Sequence, residues 1–317
     1  MSAIGLAQVR AAAARIAAHA QPTPVLRNDV LDARAGARLF FKCEHLQRSG
    51  AFKFRGACNA VWSLSDEEAA RGVVTHSSGN HGAALALAAQ TRGIPAHIVV
   101  PEGAVAAKLA NIERASGIIH RCAATQAARE EACARVQRDT GATLVHPYAD
   151  ARVIAGQGTL ALELLQQVPD LDVLIAPVGG GGLISGCAIV VAALSTSTVV
   201  VGAEPAGADD ALQSLRRGER ITDIVPHTVC DGLRATIGAP NFALLREHHV
   251  DIIGVDDDAT LAAMRLLWAE LKQTVEPSSA VVLAALLAQR ERFAGQRIGL
   301  VLTGGNVDLD ARPAFAQ

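Results

Sequence analysis

The chain has 317 residues, half of them apolar and only 3% aromatic, with a formal net charge of -2 and a pI near 6.6. That balance leaves no electrostatic footprint for nucleic acid or an anionic membrane, so a small molecule is the expected partner. The length suits one large domain with a smaller companion, and a core poor in aromatics must rest on aliphatic side chains in closely packed helices and strands, as in α/β proteins. Cys43, Cys58, Cys122, Cys133, Cys187 and Cys230 form no C-x-x-C pair. This speaks against a zinc site or a disulfide framework and for reduced thiols in the cytoplasm.

Ser2 to Ala20 is Ala-rich with Arg10 and Arg15 inside it, which predicts an amphipathic helix rather than a signal sequence or a membrane span. Pro22 and Pro24 end it; Arg38 to Glu44 reads as a strand, Phe54 to Ser63 as a helix, and Lys53 falls in the loop between them. From Val73 the chain alternates: strand Val73 to His76, loop Ser77 to Gly82, helix Ala83 to Gln90, strand Ala96 to Val100, helix Ala106 to Ala115. Ile118 to Arg121, Gln126 to Thr140 and Ala142 to Val145 complete a group assigned to a small domain of residues 67–147, with 1–66 and 148–317 forming the large one. Beyond it come a helix from Gly156 to Gln167, strand Val173 to Ala176, a glycine run and a helix from Leu183. Strands Thr198 to Ala203, Ile252 to Val255 and Ile298 to Thr303 follow, with helices Asp258 to Leu271 and Ser279 to Arg290. Such alternation predicts mostly parallel, twisted sheets flanked by helices, with ligands at the carboxyl ends of the strands.

Four segments carry chemistry. Pro177-Val-Gly-Gly-Gly-Gly-Leu183 lies between a buried strand and a helix. Its consecutive glycines can turn backbone N–H groups toward one point at a helix N-terminus, which suits a phosphate, whereas a turn needing glycine only for sterics is the plainer alternative. The spacing fits neither a P-loop nor a dinucleotide fingerprint. Ser49-Gly-Ala-Phe-Lys-Phe-Arg-Gly56 holds one of only four lysines, Lys42, Lys53, Lys108 and Lys272. Arginine could replace a surface ammonium but forms no imine at neutral pH, and burial of Lys53 would favour the neutral amine that imine chemistry needs, whereas this segment alone reads more plainly as a solvated lysine at a helix start. Thr75-His-Ser-Ser-Gly-Asn-His-Gly82 places hydroxyls and an amide before a helix, where a carboxylate can be received. Thr303-Gly-Gly-Asn-Val-Asp308 follows the last strand and could offer a hydroxyl to a ring nitrogen, with a plain glycine turn as the alternative.

Taken in this order, from about Pro24 to Asp308, these segments resemble the serine/threonine dehydratase and serine racemase family of fold type II pyridoxal phosphate (PLP) enzymes. The resemblance implies Lys53 as the Schiff-base lysine, Phe52 against the cofactor ring, and Gly179, Gly180, Gly181 and Gly182 around the phosphate. It also implies Asn80 near the cofactor hydroxyl, Thr303 at the pyridine nitrogen, and Ser77, Asn80 and His81 on the substrate carboxylate. The activity implied is elimination from a small β-hydroxy amino acid such as L-serine or L-threonine, releasing a 2-oxo acid and ammonia by a lyase; the cofactor's electron sink makes the α-proton removable. A neutral hydroxyl at Thr303 would not itself hold the pyridine nitrogen protonated, which favours prompt elimination.

Two features resemble the racemase branch. Ser78 stands where racemases carry a second acid/base opposite the lysine. Glu204-Pro-Ala-Gly-Ala-Asp-Asp210 is similar to the family's metal loop, with Glu204, the Ala208 carbonyl and Asp210 as hard oxygen ligands for Mg²⁺, Ca²⁺ or Mn²⁺; a solvated acidic turn is the alternative. Arg129 matches an arginine that some relatives direct at the active site, where it would pair with the second carboxylate of 3-hydroxyaspartate. The chain departs from the family pattern at Ala51, at Ser279, which replaces the glycine of Glu-Pro-x-Gly, and at Ala83 and Tyr148, which speak against activation by ATP. It ends at Gln317 without the effector module of long threonine deaminases, so feedback inhibition by isoleucine is not expected. A homodimer is the family expectation. Serine racemase with side elimination, 3-hydroxyaspartate dehydratase and a non-catalytic PLP-binding or sensing protein are the competing readings.

Overall fold

Short apolar strands alternate with single or paired helices through the residues described by the computed structural model, 4–104 and 106–307. In chain order the elements are α1 (Leu6–Ile16), β1 (Val25–Leu26), α2 (Asp29–Ala35), β2 (Arg38–Cys43), α3 (Lys53–Trp62), α4 (Asp66–Arg71), β3 (Val73–His76), α5 (Asn80–Arg92), β4 (Ala96–Pro101), α6 (Ala106–Arg114), β5 (Ile118–Cys122), α7 (Gln126–Thr140) and β6 (Thr143–Leu144). Then come α8 (Ala151–Gln167), β7 (Val173–Pro177), α9 (Gly182–Leu194), β8 (Val199–Pro205), α10 (Asp210–Arg217), α11 (Ala239–Glu247), β9 (Asp251–Val255), α12 (Asp257–Ala269), α13 (Pro277–Ala288) and β10 (Arg297–Leu302). The chain divides into two compact units, Met1–Gln21 with Gln47–Thr159, and Pro22–Leu46 with Leu160–Gln317.

The first unit is built on a four-stranded sheet in the order β5-β4-β3-β6, parallel throughout. Its core is almost free of aromatics: Ala57, Ala60 and Val61 of α3 lie buried with Ala84, Leu85 and Ala88 of α5. Side chains this small let helices approach closely, and Phe54 is the one large ring buried among them. Helix α1 is amphipathic as expected and ends at Ile16, short of Ala20; it buries Val9, Ala12 and Ile16 on one face, and Ser2 lies outside the described residues. Both α1 and α3 pack in this unit, so the division differs from the expected small domain of 67–147. The reason is complementarity: the alanine face of α3 fits α5, a match that strand and helix order does not disclose.

The second unit holds a six-stranded sheet, β1-β2-β10-β7-β8-β9, parallel except for the two-residue edge strand β1. Strands β7 and β10 read as near-continuous apolar runs because they are buried on both faces. Helix α13 supplies Val281, Val282, Leu283 and Leu286 to the same core, with Phe41 and Phe293. The fold is therefore the α/β class predicted, with parallel sheets flanked by helices. Among the described residues no helix is long and apolar enough to cross a membrane.

Candidate active site

In the first unit, the chain enters α3 through Ser49 (φ 61°) and Gly50 (φ 72°), a left-handed pair that turns it sharply before Ala51 becomes extended. Lys53 is the first residue of α3, one position earlier than the sequence pattern implied. Its side chain is half-buried, Nζ donates to the Pro147 carbonyl at 3.1 Å, and the ammonium lies 5.0 Å from the centre of the Phe52 ring.

Strand β3 ends at His76, and Ser77, Ser78 and Gly79 lead into α5, which begins at Asn80 instead of at Ala83. Asn80 thus sits in the first turn, where N–H groups lack intrahelical acceptors. Ser77, Ser78 and Asn80 are half-buried. His81 is only 2% exposed and its Nε2 faces the Val145 carbonyl at 3.3 Å, so its ring is packed into the core rather than turned with the serines. Burial and then the charge of Lys53 hold the His81 imidazole well below the ordinary histidine range.

Three more groups gather here. His76 meets His146 edge-on at 5.4 Å, and His146 meets Tyr148 edge-on at 4.6 Å. His146 Nδ1 accepts from the Tyr148 and Ala149 N–H groups, so the neutral ring carries its proton on Nε2. Burial, His76 and Lys53 push its pKa down to about 4. Arg129, half-buried on α7, acts on His76: after burial, its guanidinium is the next cause holding that imidazole below its usual range.

In the second unit, β7 runs into Gly179 (φ 48°) and Gly181 (φ 89°), two left-handed turns that L side chains rarely adopt. A Cβ on Gly181 would stand 2.7 Å from the Asn241 Cβ. The loop is braced by the Gly238 N–H on the Gly180 carbonyl at 3.1 Å, while Asn241 Nδ2 donates to Ser185 Oγ at 3.3 Å. Helix α9 begins at Gly182, so its first N–H groups converge where the loop opens. Thr303, 4% exposed, follows β10.

At the end of β8, Glu204 is fully buried; its Oε2 accepts from the Leu212 N–H at 2.9 Å and its Oε1 has no hydrogen-bond partner among the described residues. Asp210, 1% exposed, accepts from the Ile237 N–H at 2.7 Å, and Ala208 is buried beside it in the sequence. Burial raises both carboxyls, Asp210 to about 6.

The sequence profile of the family described as pyridoxal-phosphate dependent enzyme matches residues 16–304, nearly the whole chain. The chain belongs to this family. It is similar to the beta-hydroxyaspartate dehydratase of Paracoccus denitrificans, 48% identical over 303 residues that cover 96% of each protein. It is 49% identical over 300 residues to a serine racemase of Arabidopsis thaliana, covering 93% of this chain and 91% of that protein. Among solved structures, maize serine racemase superposes with a TM-score of 0.95 at 47% identity, covering 97% of this chain and 95% of that one. A threonine deaminase from T.th. superposes with 0.91 at 41%, covering 96% and 99%. The enzyme therefore sits in the serine/threonine dehydratase and serine racemase branch of the PLP enzymes, as the four segments implied.

Several residues that frame these segments of the PLP enzyme were not singled out by motif: Pro147, His76, His146 and Gln157 in the first unit, and Ser185 and Asn241 in the second. Of these, Gln157 had a readable signal, since it stands between two glycines, Gly156 and Gly158, within a helix. Its Oε1 accepts from the Gly56 N–H at 3.2 Å, one turn beyond Lys53.

Proposed function

We propose that the enzyme is a dehydratase that converts a small β-hydroxy amino acid, such as L-serine or L-threonine, to a 2-oxo acid and ammonia. The observation that carries the reading is Lys53 at the head of α3, its Nζ on the Pro147 carbonyl, in the same unit as the half-buried Ser77, Ser78 and Asn80 at the head of α5. Relatives named as a beta-hydroxyaspartate dehydratase, serine racemases and a threonine deaminase support it.

The residues present fit PLP. The left-handed Gly179 and Gly181 and the first-turn N–H groups of α9, which lack intrahelical acceptors, suit a phosphate, with Gly180 and Gly182 completing the loop. Lys53 would hold the aldehyde, Phe52 the ring face, Asn80 the ring hydroxyl and Thr303 the ring nitrogen. Bound PLP supplies an electron sink that acidifies the α-carbon. Ser77, Asn80 and the N–H groups of α5 would orient the substrate carboxylate, with His81 supporting them from the core. Lys53 would remove the α-proton; the Pro147 carbonyl aims its Nζ.

A divalent cation, Mg²⁺ or the similar Ca²⁺ or Mn²⁺, also fits: the orphaned, buried Oε1 of Glu204 beside a buried Asp210 and the Ala208 carbonyl is a hard oxygen set short of a partner. A cytoplasmic homodimer belongs to the same reading, and the six free thiols agree with a reducing compartment.

Two observations favour particular substrates. Ser78, half-buried before α5, suits a second proton carrier and hence racemisation of serine. Arg129, whose charge reaches His76 directly before the serine pair, suits a second carboxylate and hence 3-hydroxyaspartate. The deciding experiment is 2-oxo acid release by PLP- and Mg²⁺-loaded enzyme from L-serine, L-threonine and the 3-hydroxyaspartate stereoisomers, repeated with Arg129→Ala. Loss of a charge-assisted pair should lower hydroxyaspartate turnover by about 10- to 100-fold while serine turnover changes little. Equal effects on both would remove Arg129 from substrate selection, and no oxo acid from any of them would discard the dehydratase reading.

A further inference from the structure

Ser279 is the one departure from the Glu-Pro-x-Gly pattern that places a new hydroxyl inside the molecule. It is the third residue of α13 and fully buried. Its Oγ lies 2.7 Å from the Gly304 carbonyl oxygen, accepts from the Gly304 N–H at 2.7 Å, and stands 3.0 Å from Thr303 Oγ1. A serine hydroxyl has one proton and two lone pairs, so these three contacts use it completely. The contact to the Gly304 carbonyl has the usual O–H···O length and the one to Thr303 is at the long end, which sends the Ser279 proton to Gly304. One lone pair then takes the Gly304 N–H, and the other takes the proton of Thr303. The reverse arrangement, with Ser279 donating to Thr303, gives up the shorter bond and leaves the Gly304 carbonyl to the Glu276 N–H at 3.0 Å.

Thr303 has therefore donated its only proton inward. Toward anything else it presents lone pairs.

We propose that Ser279 is a positioning residue that makes Thr303 a hydrogen-bond acceptor toward the ring nitrogen of PLP and so favours the protonated ring. The inference rests on the reading of Thr303 given above. A hydroxyl free to turn can donate to a bare nitrogen or accept from an N–H; Ser279 removes the first option. The ring nitrogen takes its proton from solvent and the new N–H points at Thr303 Oγ1. This reverses the expectation that a neutral hydroxyl here leaves the ring unprotonated. A protonated ring withdraws electrons more strongly, which lets the α-proton leave and return before the β-hydroxyl departs. Glycine in the pattern position leaves Thr303 free to donate.

The test is the ¹⁵N chemical shift of holoenzyme reconstituted with pyridine-¹⁵N-labelled PLP, in the parent, Ser279→Gly, Ser279→Ala and Thr303→Val. Neighbouring ionisable side chains, His45 beside Gly305 and Glu276 at the head of α13, are the same in all four. The parent should show the protonated-ring shift, and both Ser279 variants a shift toward the unprotonated ring. Exchange of the α-proton with solvent deuterium, per 2-oxo acid formed, should fall several-fold in Ser279→Gly. Identical shifts in the parent and both Ser279 variants overturn the proposal. If Thr303→Val moves the shift and the Ser279 variants do not, the reading of Thr303 stands and only the role of Ser279 falls; if Thr303→Val leaves the shift unmoved, both fall.

Discussion

Side chains of one type carry different duties here according to their surroundings. Lys42 and Lys53 are both scarce lysines close in sequence to a strand end. Lys42 is fully buried and its side-chain nitrogen is committed to Glu163, the Thr23 carbonyl at 2.8 Å and Gln167 Oε1 at 2.9 Å. Lys53 stays half-buried at a helix head. Ser77 and Ser78 are likewise neighbours with separate expected parts, one on the carboxylate and one as a proton carrier. Ser78→Ala should abolish formation of D-serine from L-serine, a loss of at least ~100-fold as for removal of a general acid or base, while 2-oxo acid release is retained. Chiral chromatography beside a coupled oxo acid assay checks this; D-serine at the parental rate would assign the second proton carrier to another group.

At the level of elements, the position of Lys53 depends on a helix crossing. Helices α3 and α8 meet at Gly56 and Gly156: a Cβ on Gly156 would stand 2.6 Å from the Gly56 Cα and 2.7 Å from the Arg55 carbonyl oxygen. Backbone cannot yield as a flexible side chain can. The crossing is tied by Gln157 Oε1 on the Gly56 N–H and by Asn59 Nδ2 on the Arg152 carbonyl at 2.7 Å. Gly156→Ala should therefore cost ~1–3 kcal/mol by overpacking, read as an earlier urea midpoint. It should also lower kcat more than it raises KM, because the displaced helix begins with the lysine. A parental midpoint and kcat would mean that the helices part without strain.

For the molecule as a whole, the histidines of the first unit impose a pH dependence. His76, His81 and His146 all have pKa values below the ordinary 6.5, with burial the first cause in each case and His146 reaching about 4. Between the folded and unfolded values the unfolded chain binds more protons. The stabilisation is thus complete above pH 6.5 and is lost as pH falls from 6.5 toward 4. Protonating His146 also spoils Nδ1 as the acceptor for Tyr148 and Ala149. Replacing it, as His146→Asn, should make the fall in Tm between pH 7.5 and pH 5 smaller than in the parent by scanning calorimetry; equal falls would take His146 out of the pH response.

Much of this was legible in the order of residues. The α/β class, the strand positions of β3, β4, β7, β9 and β10 to within a residue or two, and the four segments at their ends follow from alternating apolar runs and from glycine and hydroxyl clusters whose local geometry is set by neighbours in the chain. Short elements were not read: α2 is capped by Asn28, and α4 by a Ser65 and Glu68 capping box, but fewer than two turns carry too little periodicity to declare a helix. The start of α5 at Asn80 was missed because a polar first turn looks like loop until its N–H groups are placed. By itself, then, the sequence determined the architecture and the family, and it singled out Lys53 and the glycine loop as candidates, since these are short-range patterns. Only the tertiary structure decided which unit holds α3, that His81 is buried against Val145, that Glu204 has an orphaned oxygen and that Ser279 meets Thr303 at hydrogen-bond distance. Each of these depends on groups from distant parts of the chain meeting at hydrogen-bond or van der Waals distance, where partner and direction decide the chemistry.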